Sequence, residues 1–230
     1  MVSLSLSGNY NRVSADSTHF YLVGDTGLDI INRHSGLAEG FVSFSGGFSS
    51  VWAEDDLFVY LGHSVSGLYF LEKPDQFRVG QNLTSELARD YRNNAFQSLN
   101  ILAIGGIDKD YFAIGTASGV ELVTSPSGIF YSNSLPGVQT VSINSSTLDL
   151  YYGGYFGLAF KRGPISANWM GPDEQMQAPF LPHTTVYDTD VLVESGDALI
   201  GVATQSGIVL IRQRDPIIFS PTTKLFTSGA

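Results

Sequence analysis

The sequence predicts an all-β protein, a five-bladed β-propeller of about 46 residues per blade, and three observations lead there. A unit of apolar strand, glycine-bearing turn and second apolar strand recurs five times. The spacing of these units uses almost the whole chain. The composition, with 25 glycines among 230 residues, suits a fold of many tight turns, because glycine reaches the positive φ that such turns require.

The five units read FYLVGDTGLDII from Phe20, FVYLGHSVSGLYFL from Phe58, YFAIGTASGVELV from Tyr111, LYYGGYFGLAF from Leu150 and LIGVATQSGIVLI from Leu199. Their closing glycines are Gly27, Gly67, Gly119, Gly157 and Gly207, at intervals of 40, 52, 38 and 50 residues. Leaving the C-terminus and re-entering at Met1 gives a further interval of 50 residues before Gly27, which a ring explains simply. Each unit follows another strand and a polar turn, as in NRVSADSTHF and TVSINSSTLDL, where Asp, Ser and Asn supply hairpin chemistry. Further β-prone segments follow the units: GFVSFS from Gly40, FRVGQNL from Phe77, GIFYSN from Gly128 and PIIFS from Pro216. Four strands per repeat is the content of a propeller blade. The alternating run VSLSLS at residues 2–7 is expected to pair with C-terminal strands and seal the ring, hiding sheet edges that invite aggregation. Residues 1–230 then make one domain.

Two insertions break the regularity. Residues 84–98, TSELARDYRNNAFQS, suit a short helix capped by Thr84 or Ser85. Residues 168–183 are proline-rich without periodicity and read as a surface loop.

The balance of 12 basic against 22 acidic residues repels phosphate backbones and anionic lipid, which argues against a nucleic-acid partner. Zero cysteines exclude disulfides, thiolate metal sites and a cysteine nucleophile. No apolar run approaches the ~18 residues of a membrane-spanning helix, and residues 1–9 lack the pattern of a secretory signal. The histidines fall at His19 in a turn, His34 and His183 in loops, and His63 in a repeat turn, with no metal-site spacing among them. No nucleophile elbow, phosphate loop or dinucleotide fingerprint occurs, so neither enzyme activity nor a cofactor or metal is expected. Asp29 and Glu121 follow turn glycines and read as solvated strand positions. Asp16, Glu54 to Asp56, Asp108, Asp110 and Asp197 read as turn formers.

The run DYFAIGTASGVELV from Asp110, repeated as VATQSGIVLI from Val202, resembles the short repeat of two-component-regulator-type propellers. A small propeller with diverged glycine-rich repeats also resembles accessory and receptor-binding proteins of phage tails, and a sugar-binding invertebrate lectin of similar length. These resemblances imply a non-enzymatic interaction or assembly module, a virion component at a tail or vertex, whose partners are other virion or assembly proteins. The alternative is a lectin-like module for a cell-surface glycan, and a five-bladed glycosidase with paired carboxylates stands third.

The glycine turns, if they join the second and third strands of each blade, gather Asp25, His63, Thr116, Tyr155 and Gln205 around one mouth of the ring. Tyr155 and Phe156 replace small residues in the fourth turn, and Trp169 sits in the proline-rich insertion. These seven residues are the expected ligand or partner contacts.

Overall fold

The computed structural model describes residues 8–54, 57–124, 128–163, 174–176, 185–194, 197–214 and 218–225. The expected sealing strand at residues 2–7, Trp169, His183, Asp55 and Asp56 lie outside these segments. Among the described residues the strands form five sheets, and packing divides the chain into two units, residues 1–104 and 105–230.

Unit 1 holds two sheets. The first runs β1 (Tyr10–Ala15), β2 (His19–Gly24), β3 (Gly27–Asn32) and β4 (Ala38–Ser43) in antiparallel order, with β8 (Gln81–Asn82) added parallel to β4. The second orders β5 (Ser50–Ala53), β6 (Phe58–His63), β7 (Gly67–Glu72) and β9 (Leu87–Arg89). Three four-stranded sheets follow, all within unit 2 except residues 101–104, which open the first of them. They are β10 (Ile101–Asp108) to β13 (Gly128–Asn133) through β11 (Tyr111–Thr116) and β12 (Val120–Thr124); then β14 (Val138–Ile143), β15 (Leu150–Gly154), β16 (Gly157–Lys161) and β17 (Glu174–Met176); and then β18 (Val186–Glu194), β19 (Asp197–Thr204), β20 (Gly207–Arg214) and β21 (Ile218–Leu225). In every sheet the glycine turn joins the second and third strands, as the repeat predicts.

Four of the middle strands are buried on both faces. Every residue of β15 and β16 is buried, and β6 and β11 are buried beyond their first residue. Alternation of apolar and polar residues is therefore lost there, as it is wherever a strand is covered from both sides. Tyr21, Tyr151, Tyr152, Phe112 and Phe160 fill these layers with almost no exposure.

Two segments differ from the sequence reading. FRVGQNL supplies not the fourth strand of the second sheet but β8, an extra strand on the first. Leu83, just beyond it, is buried among the first sheet's side chains, and its N–H donates to the Phe41 carbonyl at 2.8 Å. The fourth strand of the second sheet is β9, inside the 84–98 insertion. That insertion also carries two 3-10 turns, Thr84–Glu86 and Tyr91–Asn94, in place of a capped helix. No side chain caps the first turn, and the Thr84 hydroxyl instead accepts the Ser43 N–H at 2.9 Å. Asp90 caps the second turn through Arg92 N–H, and Asn93 pairs with both backbone groups of Leu68 at 2.7 Å, acting as one more residue on the edge of β7. Within residues 168–183, β17 pairs with β16 where the sequence suggested only a loop, which gives the edge of β16 its hydrogen-bond partners.

The turn glycines explain the periodicity. All five have positive φ: +134° at Gly27, +95° at Gly67, +157° at Gly119, +99° at Gly157 and +122° at Gly207. At Gly27 a Cβ would also stand 2.0 Å from the Val42 carbonyl oxygen of the next strand. Gly27→Ala is expected to destabilise the protein by about 3 kcal/mol or more, combining a glycine-only conformation with a backbone clash. Gly80→Ala, at φ +70° with nothing within 4 Å, should cost only about 1 kcal/mol. Urea unfolding of the two variants checks the difference.

Candidate functional site

The glycine-turn end of unit 1 brings two of the expected residues near one another. The loop between β4 and β5 passes Gly47 against the backbone of Asp25 and Gly46 against the His63 ring, where Cβ atoms would stand 2.7 Å and 3.1 Å away. Asp25 is exposed and accepts from Asn9 Nδ2 at 2.9 Å. His63 is not in the turn but ends β6, buried, and its Nδ1 faces Val65 N–H, Ser66 N–H and Ser66 Oγ at 2.7–3.1 Å. It shapes its own turn.

In unit 2 the same holds for Thr116, which ends β11 fully buried. Its hydroxyl donates to the Gly119 carbonyl and accepts from Ser118 and Gly119 N–H. Thr204 repeats this arrangement against Gly207 and Ser206, leaving Gln205 exposed as the first residue of its turn. The corresponding first turn residues are thus Asp25, Ser64, Ala117, Tyr155 and Gln205, one place beyond the sequence alignment at His63 and Thr116. Phe156 is half-buried, its ring 6.1 Å from Tyr152. Tyr155 is 73% exposed.

A second exposed tyrosine lies on β18. Tyr187, 46% exposed, is the extra residue of a β-bulge in β18, where Val186 pairs with Thr204 and Asp188 with Ala203. Its neighbour Val186 packs onto Gly153, close enough that a Cβ there would lie 2.4 Å away, and Tyr155 follows Gly153 by two residues. Tyr155 and Tyr187 thus each lie within two residues of the tight contact between the Val186 side chain and Gly153.

The opposite end of unit 1 holds a cluster that the sequence reading missed. Asp16 is buried and accepts from Thr18 N–H, His19 N–H, Tyr21 OH and Lys73 Nζ at 2.6–2.8 Å. Lys73 follows β7, so this ion pair joins the two sheets, and its ammonium also donates to the Glu54 carbonyl and lies 5.2 Å from the Tyr21 ring centroid. Burial pushes the Asp16 carboxyl up, but the bonds from Lys73, Tyr21 and the backbone outweigh it and hold the group far below the usual carboxylate range. Burial and the bond to Asp16 push the Tyr21 phenol well above its ordinary value. His19 lies on β2 rather than in a turn, with Nδ1 2.8 Å from Thr18 Oγ1 and Nε2 2.8 Å from Glu39 Oε2. Glu39 is itself the extra residue of a bulge in β4, between the Ile30–Gly40 and Ile31–Ala38 pairs. Beside this cluster opens a cavity of about 480 Å³ lined by Asn32, His34, Glu39, Asp75 and Phe77 among others.

Unit 2 has a counterpart. Tyr151 occupies the repeat position of Tyr21, and Gln213 that of Lys73, six residues after a turn glycine. Gln213 accepts from Tyr151 OH and donates to Asp149 at 2.8 Å, so β15 and β20 of neighbouring sheets are joined. Glu121, expected on a solvated face, is buried on β12. Among the described residues no group of three metal-ligating acids or histidines occurs, and no helix is long and apolar enough to cross a membrane.

No family model matches the chain, and no curated protein matches it in sequence. Solved structures do. RRP9 WD40 repeats superpose with a TM-score of 0.65 over 94% of this chain, and the WD40 β-propeller domain of Doa1 with 0.67 over 91%, each at 9% identity. The chain has the β-propeller fold. U3-55K gives 0.65 over 94%, again at 9% identity. This propeller chain spans about two thirds of those proteins' chains, 66%, 65% and 67% respectively, and the likeness is one of fold.

The depressed Asp16 carboxyl ties stability to pH. Because its folded value lies below its unfolded one, its contribution is complete above about pH 4 and is lost as pH falls toward the folded value. Asp16→Asn is expected to cost about 3 kcal/mol at pH 7, leaving Lys73 buried without its partner, and to flatten the acid limb of the stability profile. Chemical denaturation between pH 2 and about 7 measures both.

Proposed function

We propose that the five sheets are the blades of one closed ring, a single domain over residues 1–230, and that the protein is a non-enzymatic module that holds partner proteins in a larger assembly, such as a phage virion. The observation that carries this reading is the pair Tyr155 and Tyr187, both exposed and each within two residues of the tight contact of Val186 with Gly153. A two-residue hairpin presents the first and a bulge the second, and both arise from strands packed in the core. Tyrosine gives a large contact area at small entropic cost, so such a pair suits a protein interface. The likeness to WD40 propellers supports the same reading, since loops at one end of a rigid ring are well placed for contact with other proteins.

Within this reading the mouth consists of Asp25, Tyr155 and Gln205 as contacts, with His63 and Thr116 shaping the turns. The side chains differ from turn to turn, which suits one asymmetric protein partner better than five equivalent sugar sites.

Co-purification from the native source, with mass spectrometry of what accompanies the chain, tests the proposal. Recovery with assembly proteins at fixed ratio is expected. Tyr155→Ala with Tyr187→Ala should weaken retention about tenfold or more at unchanged melting temperature. Recovery alone, or elution by free sugar, contradicts it, and the second result establishes the lectin alternative.

A further inference from the structure

We infer that the cavity of unit 1 receives a positively charged side chain, guanidinium or ammonium, from a protein partner; this rests on the interaction-module reading. The cavity, about 480 Å³, lies at the end of the two sheets opposite their glycine turns, bordered by the β1–β2 and β3–β4 turns and by residues 73–77. It is in the size range of pockets that hold small ligands and side chains.

The charges on its walls select the guest. Lys73 is committed to Asp16, the Glu54 carbonyl and the Tyr21 ring, so that pair is neutral and offers no cation to an anionic ligand. His19 is held between Thr18 and Glu39. Arg33 is not part of the wall, since its guanidinium donates to the Asp16 carbonyl and lies over Phe20. Two carboxylates remain, Glu39 on the wall and Asp75 exposed at the rim.

Glu39 is the better placed of the two. Its Oε2 meets His19, while Oε1 has a long contact of 3.3 Å from Asn32 Nδ2. A carboxylate accepts about four hydrogen bonds, so acceptor positions remain for a further donor. The bulge is what sets Glu39 out of the regular alternation of β4. The Phe77 ring, held edge-on to His19 at 4.7 Å, gives an apolar wall for the methylene stem of a lysine or arginine and a π-face for its charged group. The formal charge of −10 on the whole chain draws such a partner and repels an anionic one.

The test is an NMR titration of the full chain, following the His19 and Phe77 ring signals. The probes are capped Gly-Arg-Gly and Gly-Lys-Gly peptides, a capped Gly-Gln-Gly control and methyl glucoside. Saturable shifts with the two basic peptides only are expected, weakened about tenfold by Glu39→Gln, the loss of one charge-assisted contact. Asp75→Asn, at an exposed position, should weaken binding by a smaller factor and covers the case in which Glu39→Gln fails to fold. Equal shifts with the glutamine peptide, shifts with the glucoside alone, or no shift overturn the inference. Partner retention is read on the same protein. A chain that keeps its partner but shifts with no peptide overturns the pocket alone, whereas one that recovers no partner overturns the module.

Discussion

A lysine ammonium buried against an aspartate carboxylate is the constraint on which unit 1 depends. Lys73 belongs to the second sheet and Asp16 to the first, and the contact is covered by Tyr21 and closed by backbone N–H groups. Such a pair adds little over apolar packing when complete, because desolvation offsets the attraction. Breaking it is another matter, since an uncompensated buried charge costs about 3–5 kcal/mol against a domain stability of about 5–15 kcal/mol. The pair thus ties the β1–β2 turn of the first sheet to the segment that follows β7 of the second. Unit 2 solves the same problem without a cation: Gln213 sits where Lys73 does in the repeat and bridges Tyr151 to Asp149. A tyrosine four residues before the turn and a polar residue six after the glycine form a linkage used twice, once through an ammonium and once through an amide.

The two ends of the sheets consequently differ in character. At the glycine turns, His63, Thr116 and Thr204 spend their polar atoms on the hairpins themselves, and only the turn tips face outward. At the other end of unit 1, the buried linkage leaves a cavity beside it, with Glu39 and His19 on its wall. Bulges contribute at both ends. One turns Tyr187 outward, and another displaces Glu39 toward the cavity. A regular ladder would place each of these side chains by alternation alone.

The architecture was legible in the sequence because a turn with positive φ tolerates glycine and little else, so Gly27, Gly67, Gly119, Gly157 and Gly207 register the repeat even where the flanking strands diverge. Tyr155 was legible for a related reason, as a bulky residue where the other turns carry small or polar ones. The Asp16 cluster was not. Its members are 57 residues apart at the extreme, and an aspartate before Ser-Thr reads as an ordinary turn former, which it also is. The one available signal was Lys73 and Gln213 at the same distance from their turn glycines. Bulges at Glu39 and Tyr187 leave no mark in residue type, and the misplacement of His63 and Thr116 by one position arose from turn lengths that differ between repeats. Insertion 84–98 hid a strand because β9 has only three residues, too few for periodicity.

Hydrogen exchange on Lys73→Met, followed by mass spectrometry, tests the buried linkage most directly. If the ion pair joins the two sheets, protection should fall together in β2 and β3 of the first sheet and β6 and β7 of the second, by a similar factor. Loss of protection confined to the residues beside position 73, with β2 and β3 unchanged, would contradict it and leave the sheets joined by apolar packing and the bond from Ala53 N–H to Ser14 Oγ.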